Sequence, residues 1–201
     1  MKYKTRYTLI ERALDISEQE AWSELIKIYE PLIYNVLRSY NMQHHDVQNL
    51  VQDVLIKLTK SLGQYDSSKG KFRNWLSLIV KREALALIRK RKGIKERLNL
   101  PNSENEMEAL EQSLSGQDHE EVFSREWQKY LLNMAWERVS EDFSENAQRC
   151  FELSAEGLSL AEISQKTGLA PNSVKTFKAS MKRALRKEVA HLEAQLDRDG
   201  R

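Results

Sequence analysis

From Lys71 to Lys92 the chain reads KFRNWLSLIVKREALALIRKRK, with neither glycine nor proline to interrupt it. Phe72, Trp75, Leu76 and Ile79 recur at the three- and four-residue spacing of one helix face. On the same wheel Leu78, Leu85 and Ile88 lie nearly opposite, so this helix needs apolar neighbours on two sides. Lys81, Arg82, Arg89, Lys90 and Arg91 take what remains. A helix that buries tryptophan and still carries this much charge fits only inside a bundle of other helices. The rest of the chain agrees. Seven Gly and three Pro punctuate 201 residues, Ala, Leu, Glu, Lys and Gln abound, and a hydrophobic fraction of 40% is enough for real cores. An all-α fold is expected.

Ser17 and Glu20 form a capping-box pattern ahead of Ala21, Trp22, Leu25, Ile26, Tyr29, Ile33, Val36, Leu37 and Tyr40. Pro31 falls inside that helix and is expected to kink or split it. Asp46 is expected to cap the next helix, with an apolar stripe of Val47, Leu50, Val51, Val54, Leu55 and Leu58. Its other face shows Gln48, Gln52, Asp53 and Lys57. A polar loop, Gly63 to Gly70, leads into the long basic helix. Residues 1–95 are expected to form one helical domain, with 1–15 unassigned.

The formal net charge is only +2, but the charges are segregated. Lys69 to Arg97 is strongly basic, interrupted by the acids Glu83 and Glu96 alone. Leu98 to Val122 has no Lys or Arg and gathers Glu104, Glu106, Glu108, Glu111, Asp118, Glu120 and Glu121. From Pro171 to Lys187 every charge is positive. Two separate cationic clusters suit a polyanionic partner. The acidic stretch contains Pro101, Gly116 and several Ser and Asn, and reads as a flexible linker over 96–121.

A second small domain, 122–201, follows. Ser159 opens a short helix with Glu162 at its third position, and Ala161 and Ile163 point inward. Gly168 supplies a tight turn, Leu169 plugs the corner and Pro171 starts the next helix. That helix buries Val174, Phe177, Met181 and Leu185 and projects Asn172, Ser173, Lys175, Thr176, Lys178, Lys182 and Arg183. The spacing is that of a helix-turn-helix, whose second helix enters the major groove by its N-terminal half. Asn, Ser and Thr can read base edges while Lys and Arg fix the register on phosphates.

Enzymatic chemistry finds no foothold. His44 and His45 are adjacent and would point apart on a helix, which does not make a metal pair. There is no Gly-rich phosphate loop and no Ser-His-Asp or Cys-His arrangement, so no catalytic residue, metal or other cofactor is expected. Cys150 is alone and sits between apolar neighbours, as a small buried hydrophobe in a reducing compartment. No stretch reaches the roughly 20 apolar residues of a membrane span, and MKYKTRY lacks a signal-peptide core. A soluble, cytoplasmic protein is expected.

The stretch DVQNLVQDVLIKL resembles the D-L-V-Q-E-V-F-x-x-L helix in the second conserved region of the sigma-70 family, in its extracytoplasmic-function (ECF) group. GKFRNWLSLIVKREALALIRKRK is similar to the helix that follows there, with its F-x-x-W-L core and Arg-rich tail. The helix-turn-helix is similar to that family's fourth region in place and spacing. The resemblance covers roughly 10–95 and 122–192.

It implies an RNA polymerase sigma factor: a region 2 bundle and a region 4 helix-turn-helix joined by an acidic linker, working as a binding subunit without catalysis. Its implied partners are promoter DNA and core RNA polymerase, through the β′ clamp helices and the β flap; the sequence leaves open whether an anti-sigma protein holds the factor inactive. Lys69, Lys71, Phe72, Arg73, Lys81, Arg82, Arg89 and Lys90 would hold the single strand of the −10 element. The loop before Phe72 would cradle an extruded base. Trp75 is expected in the core, and Phe72 could serve in either place. Asn172, Ser173, Lys175, Thr176, Lys178, Lys182 and Arg183 would read the −35 element, and Gln48, Gln52, Asp53 and Lys57 would dock on the clamp helices. The linker would pass near the polymerase RNA channel or serve as a plain spacer.

The chain departs from the family pattern at Arg82 and Ala86, where many members have Asn and Asp, and at Phe177 and Ser180, where many have Arg. Phe177 is expected in the core in place of the usual Leu at Lys178. Neither promoter preference therefore carries over. The competing readings are an autonomous helix-turn-helix regulator with a sensing or dimerising N-terminal domain, and an RNA- or single-strand-binding protein.

Overall fold

The computed structural model describes residues 7–14, 19–97, 104–115 and 118–197. Among them the chain is all-helical, with no strand. Its helices are α1 (Tyr7–Leu14), α2 (Gln19–Arg38), α3 (His44–Ser61), α4 (Phe72–Arg97), α5 (Glu104–Ser115), α6 (Asp118–Val139), α7 (Glu145–Ala155), α8 (Leu160–Thr167) and α9 (Pro171–Asp197). The chain divides into two compact units, Met1–Gln128 with Gln195–Arg201, and Lys129–Ala194.

In unit one, α1 packs on α2, α2 on α3 and α4, and α3 on α4. The residues 1–15 left unassigned by sequence thus include an amphipathic helix that buries Leu9, Ile10 and Ala13. The Ser17 capping box lies outside the described residues. Pro31 does not split α2, which runs unbroken through it. Leu25, Ile28, Tyr29, Leu32, Ile33 and Val36 are buried on both sides of the proline, and their packing holds the helix where one backbone hydrogen bond is missing. Asn41 then turns the chain with φ +54°, a left-handed conformation that asparagine tolerates after a helix.

Asp46 is not the cap of α3. The helix begins two residues earlier, with Gln43 at the N-cap position and no side-chain capping bond. Asp46 therefore sits within the first turn, where its charge favours the helix dipole. There it is 3% exposed and accepts a hydrogen bond from Arg91 of α4, with His45 Nε2 3.0 Å away. Arg91, read from the sequence as free charge, thus fastens α4 to α3.

The loop before α4 is ordered by local bonds. Asp66 accepts from the Ser68 amide at 3.0 Å and the Ser68 hydroxyl at 2.6 Å, and these bonds lower its pKa. Tyr65 donates its hydroxyl to the Gly70 carbonyl at 3.0 Å. Gly70, at φ +150° and ψ 178°, adopts a backbone conformation that side chains rarely allow. The Lys71 carbonyl then accepts the amides of Asn74 and Trp75 and starts α4.

The stretch 96–121 differs from the linker expected. Much of it is helical: α5 packs against α4, with Leu114 fully buried and Leu110 half-buried one turn earlier. Asp118 opens α6, and His119, Phe123 and Trp127, spaced by four, are buried within unit one. The units divide at 128/129 rather than in 96–121. The acids kept that stretch on the surface, but a sparse apolar repeat was enough to bind it down.

Unit two holds the rest of α6, then α7, α8 and α9. Cys150, Leu153, Ile163 and Val174 form its core, with Leu158, Leu169 and Phe177 packed against them. Burial raises the Cys150 thiol pKa. Ser144 caps α7, and the capping box at Ser159 forms: its hydroxyl accepts the Glu162 amide while Glu162 takes the Ser159 amide at 2.8 Å. Gly168 closes α8 in the left-handed conformation, φ +70°. Ala161 is exposed rather than inward, since Ile163 alone fills that face of a short helix. Arg138 of α6 and Glu188 of α9 pair at 2.8 Å, and Trp136 stacks on Phe151 with centroids 5.6 Å apart.

Replacing Arg91 with Ala would leave the Asp46 carboxylate buried without its cation. The expected loss is about 1–3 kcal/mol, that of a buried acceptor left unsatisfied, and lies at the low end because the Arg91 side chain is 41% exposed. Urea unfolding followed by tryptophan fluorescence reads the loss, and an unchanged midpoint would show the pair to be idle.

Candidate nucleic-acid interface

The basic helix α4 is anchored at its root by an aromatic knot. Phe72 is 1% exposed, with its ring 5.0 Å from Tyr29, 5.3 Å from Tyr65 and 5.6 Å from Trp75. Phe72 is thus part of the core and offers no stacking face, which corrects its place among the candidate contacts. Trp75, expected in the core, is half-buried, and so is Tyr65, 5.5 Å from it. Tyr65 escaped the sequence analysis because the loop was read for its polar residues. An aromatic within a Gly-bounded loop beside Lys69 and Lys71 was the available signal.

Beyond the knot the cations fall into two sets. Leu78, Arg82, Ala86 and Lys90, spaced by four, form an exposed stripe along α4. Leu78 is 46% exposed on that stripe, so it does not join the buried side with Ile88 as its wheel position implied. Lys69 and Lys71 are exposed in the approach to the helix, Lys69 lying 3.3 Å from Asp66. The second set is engaged by acidic or aromatic neighbours. The Arg73 guanidinium lies 5.5 Å from the centre of the Trp127 ring. Lys81 is half-buried and acts electrostatically on His119, and Arg89 Nε is 3.9 Å from Glu111.

His119 is 1% exposed, between α4 and the turn that follows α2. Its Nε2 donates to the Ser77 carbonyl at 3.0 Å and lies 2.9 Å from the Ser77 hydroxyl. That leaves Nδ1 to accept from the Tyr40 hydroxyl at 2.6 Å. Burial lowers the imidazole pKa; the Ser77 carbonyl and Glu120 oppose this and Lys81 reinforces it. Burial likewise raises the Tyr40 pKa, with Arg125 and Asp118 acting in opposite directions.

On α3, Gln48, Gln52, Asp53 and Lys57 are all exposed and share one side of the helix. Ile56 lies among them at 52% exposure, an apolar centre that the sequence analysis passed over because it breaks the buried stripe. On α9, Asn172, Lys175, Thr176, Lys182 and Arg183 are exposed, whereas Ser173 and Lys178 are half-buried. The Thr176 hydroxyl donates to the Asn172 carbonyl at 2.9 Å. Lys175, Lys178 and Lys182 border a groove of about 960 Å³ with Phe151, Leu160 and Leu185 in its walls. Among the described residues no helix is long and apolar enough to cross a membrane.

The neutral His119 has a direct consequence. Its pKa is lowered in the folded state, so the unfolded chain binds more protons below the ordinary histidine value near 6.5. Stability from these contacts is full above that pH and declines as the pH falls toward the lowered value. The urea midpoint should therefore drop more between pH 7.5 and 5.5 in wild type than in His119→Gln. Parallel curves would remove the imidazole from this role.

Residues 25–94 match the protein family described as Sigma-70 region 2. The matched span runs from within α2 to near the end of α4 and contains the aromatic knot, the exposed α3 face and most of the α4 cations. The match supports a sigma-factor role for this part of the chain, in RNA polymerase binding and promoter melting. No curated protein matches the chain.

Proposed function

We propose that the protein is an RNA polymerase sigma factor of the ECF type, acting in the cytoplasm, which binds core polymerase and directs it to promoters. The observation that carries this reading is the presence in one chain of the region 2 match and, in a separate unit, of a capped α8, a left-handed Gly168 turn and a cation-bearing α9. A regulator that works alone has no need of the first, and a single-strand binder has no need of the second.

In this reading unit one docks on the β′ clamp helices through Gln48, Gln52, Asp53 and Lys57, with Ile56 as the desolvated centre. Arg82, Arg89 and Lys90, together with Lys69 and Lys71, hold the backbone of the melted −10 strand, and Tyr65 and Trp75 offer ring faces to its bases. Phe72 supports those rings from below. In unit two, Asn172, Ser173 and Thr176 face base edges of the −35 element while Lys175, Lys178, Lys182 and Arg183 meet phosphates. The apolar groove beside them is assigned to the β flap. An anti-sigma protein would act by covering either surface.

Gel filtration with core RNA polymerase tests the reading. Wild type should co-elute with core, and Asp53→Arg, on an exposed position, should not. Failure of the wild type to bind core from its native host would overturn the proposal and favour an autonomous duplex-binding regulator. Within the holoenzyme, Lys182→Ala should weaken promoter binding about equally across −35 sequences and reduce the log–log salt slope by about 1. A sequence-selective loss at unchanged slope would instead make Lys182 a base contact.

A further inference from the structure

The acidic segment lies on the helix whose cations it would have to release. His119, the one basic-capable residue within the acid run, is buried against α4 and the turn after α2 by bonds to Ser77 and Tyr40. Two turns on, Trp127 is 1% exposed and carries the Arg73 guanidinium over its ring. Between these two anchors a cavity of about 640 Å³ has Arg73 and Lys81 on its α4 wall and Glu120 and Glu121 on its α6 wall. Toward the other end of α4, Glu111 of α5 stands 3.9 Å from Arg89. The acidic segment therefore meets α4 at three levels, at Ser77, Arg73 and Arg89, and two of the cations, Arg73 and Lys81, are partly withdrawn from water.

We propose that α5 and the first half of α6 form an autoinhibitory strap over α4, which single-stranded nucleic acid must displace to reach Arg73 and Lys81. This rests on the sigma-factor reading of α4. The strap is held by shape more than by charge. Leu114, His119, Phe123 and Trp127 are buried, whereas the Arg89–Glu111 pair is exposed and long. Salt alone should not lift it. The acids instead compete with phosphate for the same cations, so the covered state is favoured until a ligand with greater affinity for the open state is present. The apparent affinity of free protein for single strands is then reduced by the fraction that is open. The stripe Arg82–Lys90 stays outside the strap and can make first contact.

The test uses the full-length chain and a fluorescent single-stranded oligonucleotide, read by anisotropy without polymerase. One variant, Tyr40→Phe with Ser77→Ala, removes the side-chain partners of His119 and touches no charge. A second, Glu120→Gln with Glu121→Gln, changes exposed positions that do not threaten folding. A charge-matched control, Glu141→Gln with Asp142→Asn, makes the same change in unit two, where both acids are exposed. Both strap variants should bind about tenfold more tightly than wild type, with the control within twofold, and adding Arg73→Gln and Lys81→Gln should abolish the gain. If the first variant does not fold, the second decides. Strap variants that bind like wild type or like the control overturn the strap, while core co-elution sensitive to Asp53→Arg leaves the sigma reading standing. Absence of both single-strand and core binding in every protein overturns the two together.

Discussion

The arrangement of α4 hangs from the burial of Phe72 against Tyr29, 5.0 Å between ring centres. A helix dense in Lys and Arg repels itself and gains little from its own backbone. It holds its place because one end is driven into an aromatic cluster and, five turns later, Arg91 is drawn to a buried carboxylate on α3. Burying a phenylalanine contributes about 1.5–3 kcal/mol, comparable with what a well-made buried ion pair costs to break. Between two such anchors the intervening surface is free to carry charge that contributes nothing to folding. Rigidity at the ends permits chemistry in the middle.

That division explains what could be read from the sequence and what could not. Apolar spacing located α2, α3, α4 and α9 because each has a long stripe facing one core. The local signals at Ser159, Gly168 and Pro171 were equally plain, since capping and left-handed turns depend on adjacent residues alone. Asp46 was misjudged as a cap because its real partner, Arg91, lies far away in sequence. Leu78 and Phe72 exchanged roles for a related reason: a helical wheel gives an angle, and only the neighbours decide which angle faces water. The acid run was the largest surprise. Charge density announced an extended spacer, yet Leu114, Phe123 and Trp127 carry enough apolar area to fold it back as helix.

The candidate interface was legible in its residue types and less so in its availability. Every cation named from the sequence for the −10 strand lies on α4 or in the loop before it, but Arg73, Lys81 and Arg89 have neighbours of their own. Exposure is a property of the whole chain and has no local code. The same holds for Ile56, an apolar residue that earns meaning only once its surroundings are known to be polar and open.

Cys150 is the chain's single thiol, and it is sealed in the core of unit two with its ionisation suppressed by burial. In the folded protein this thiol is thereby shielded from oxidants, and an alkylating reagent can reach it only in the moments when that core opens. Labelling kinetics in native buffer would then clock the breathing of the unit that holds Cys150. The sulfur is a built-in stopwatch, silent in the native state and specific to one of the two units.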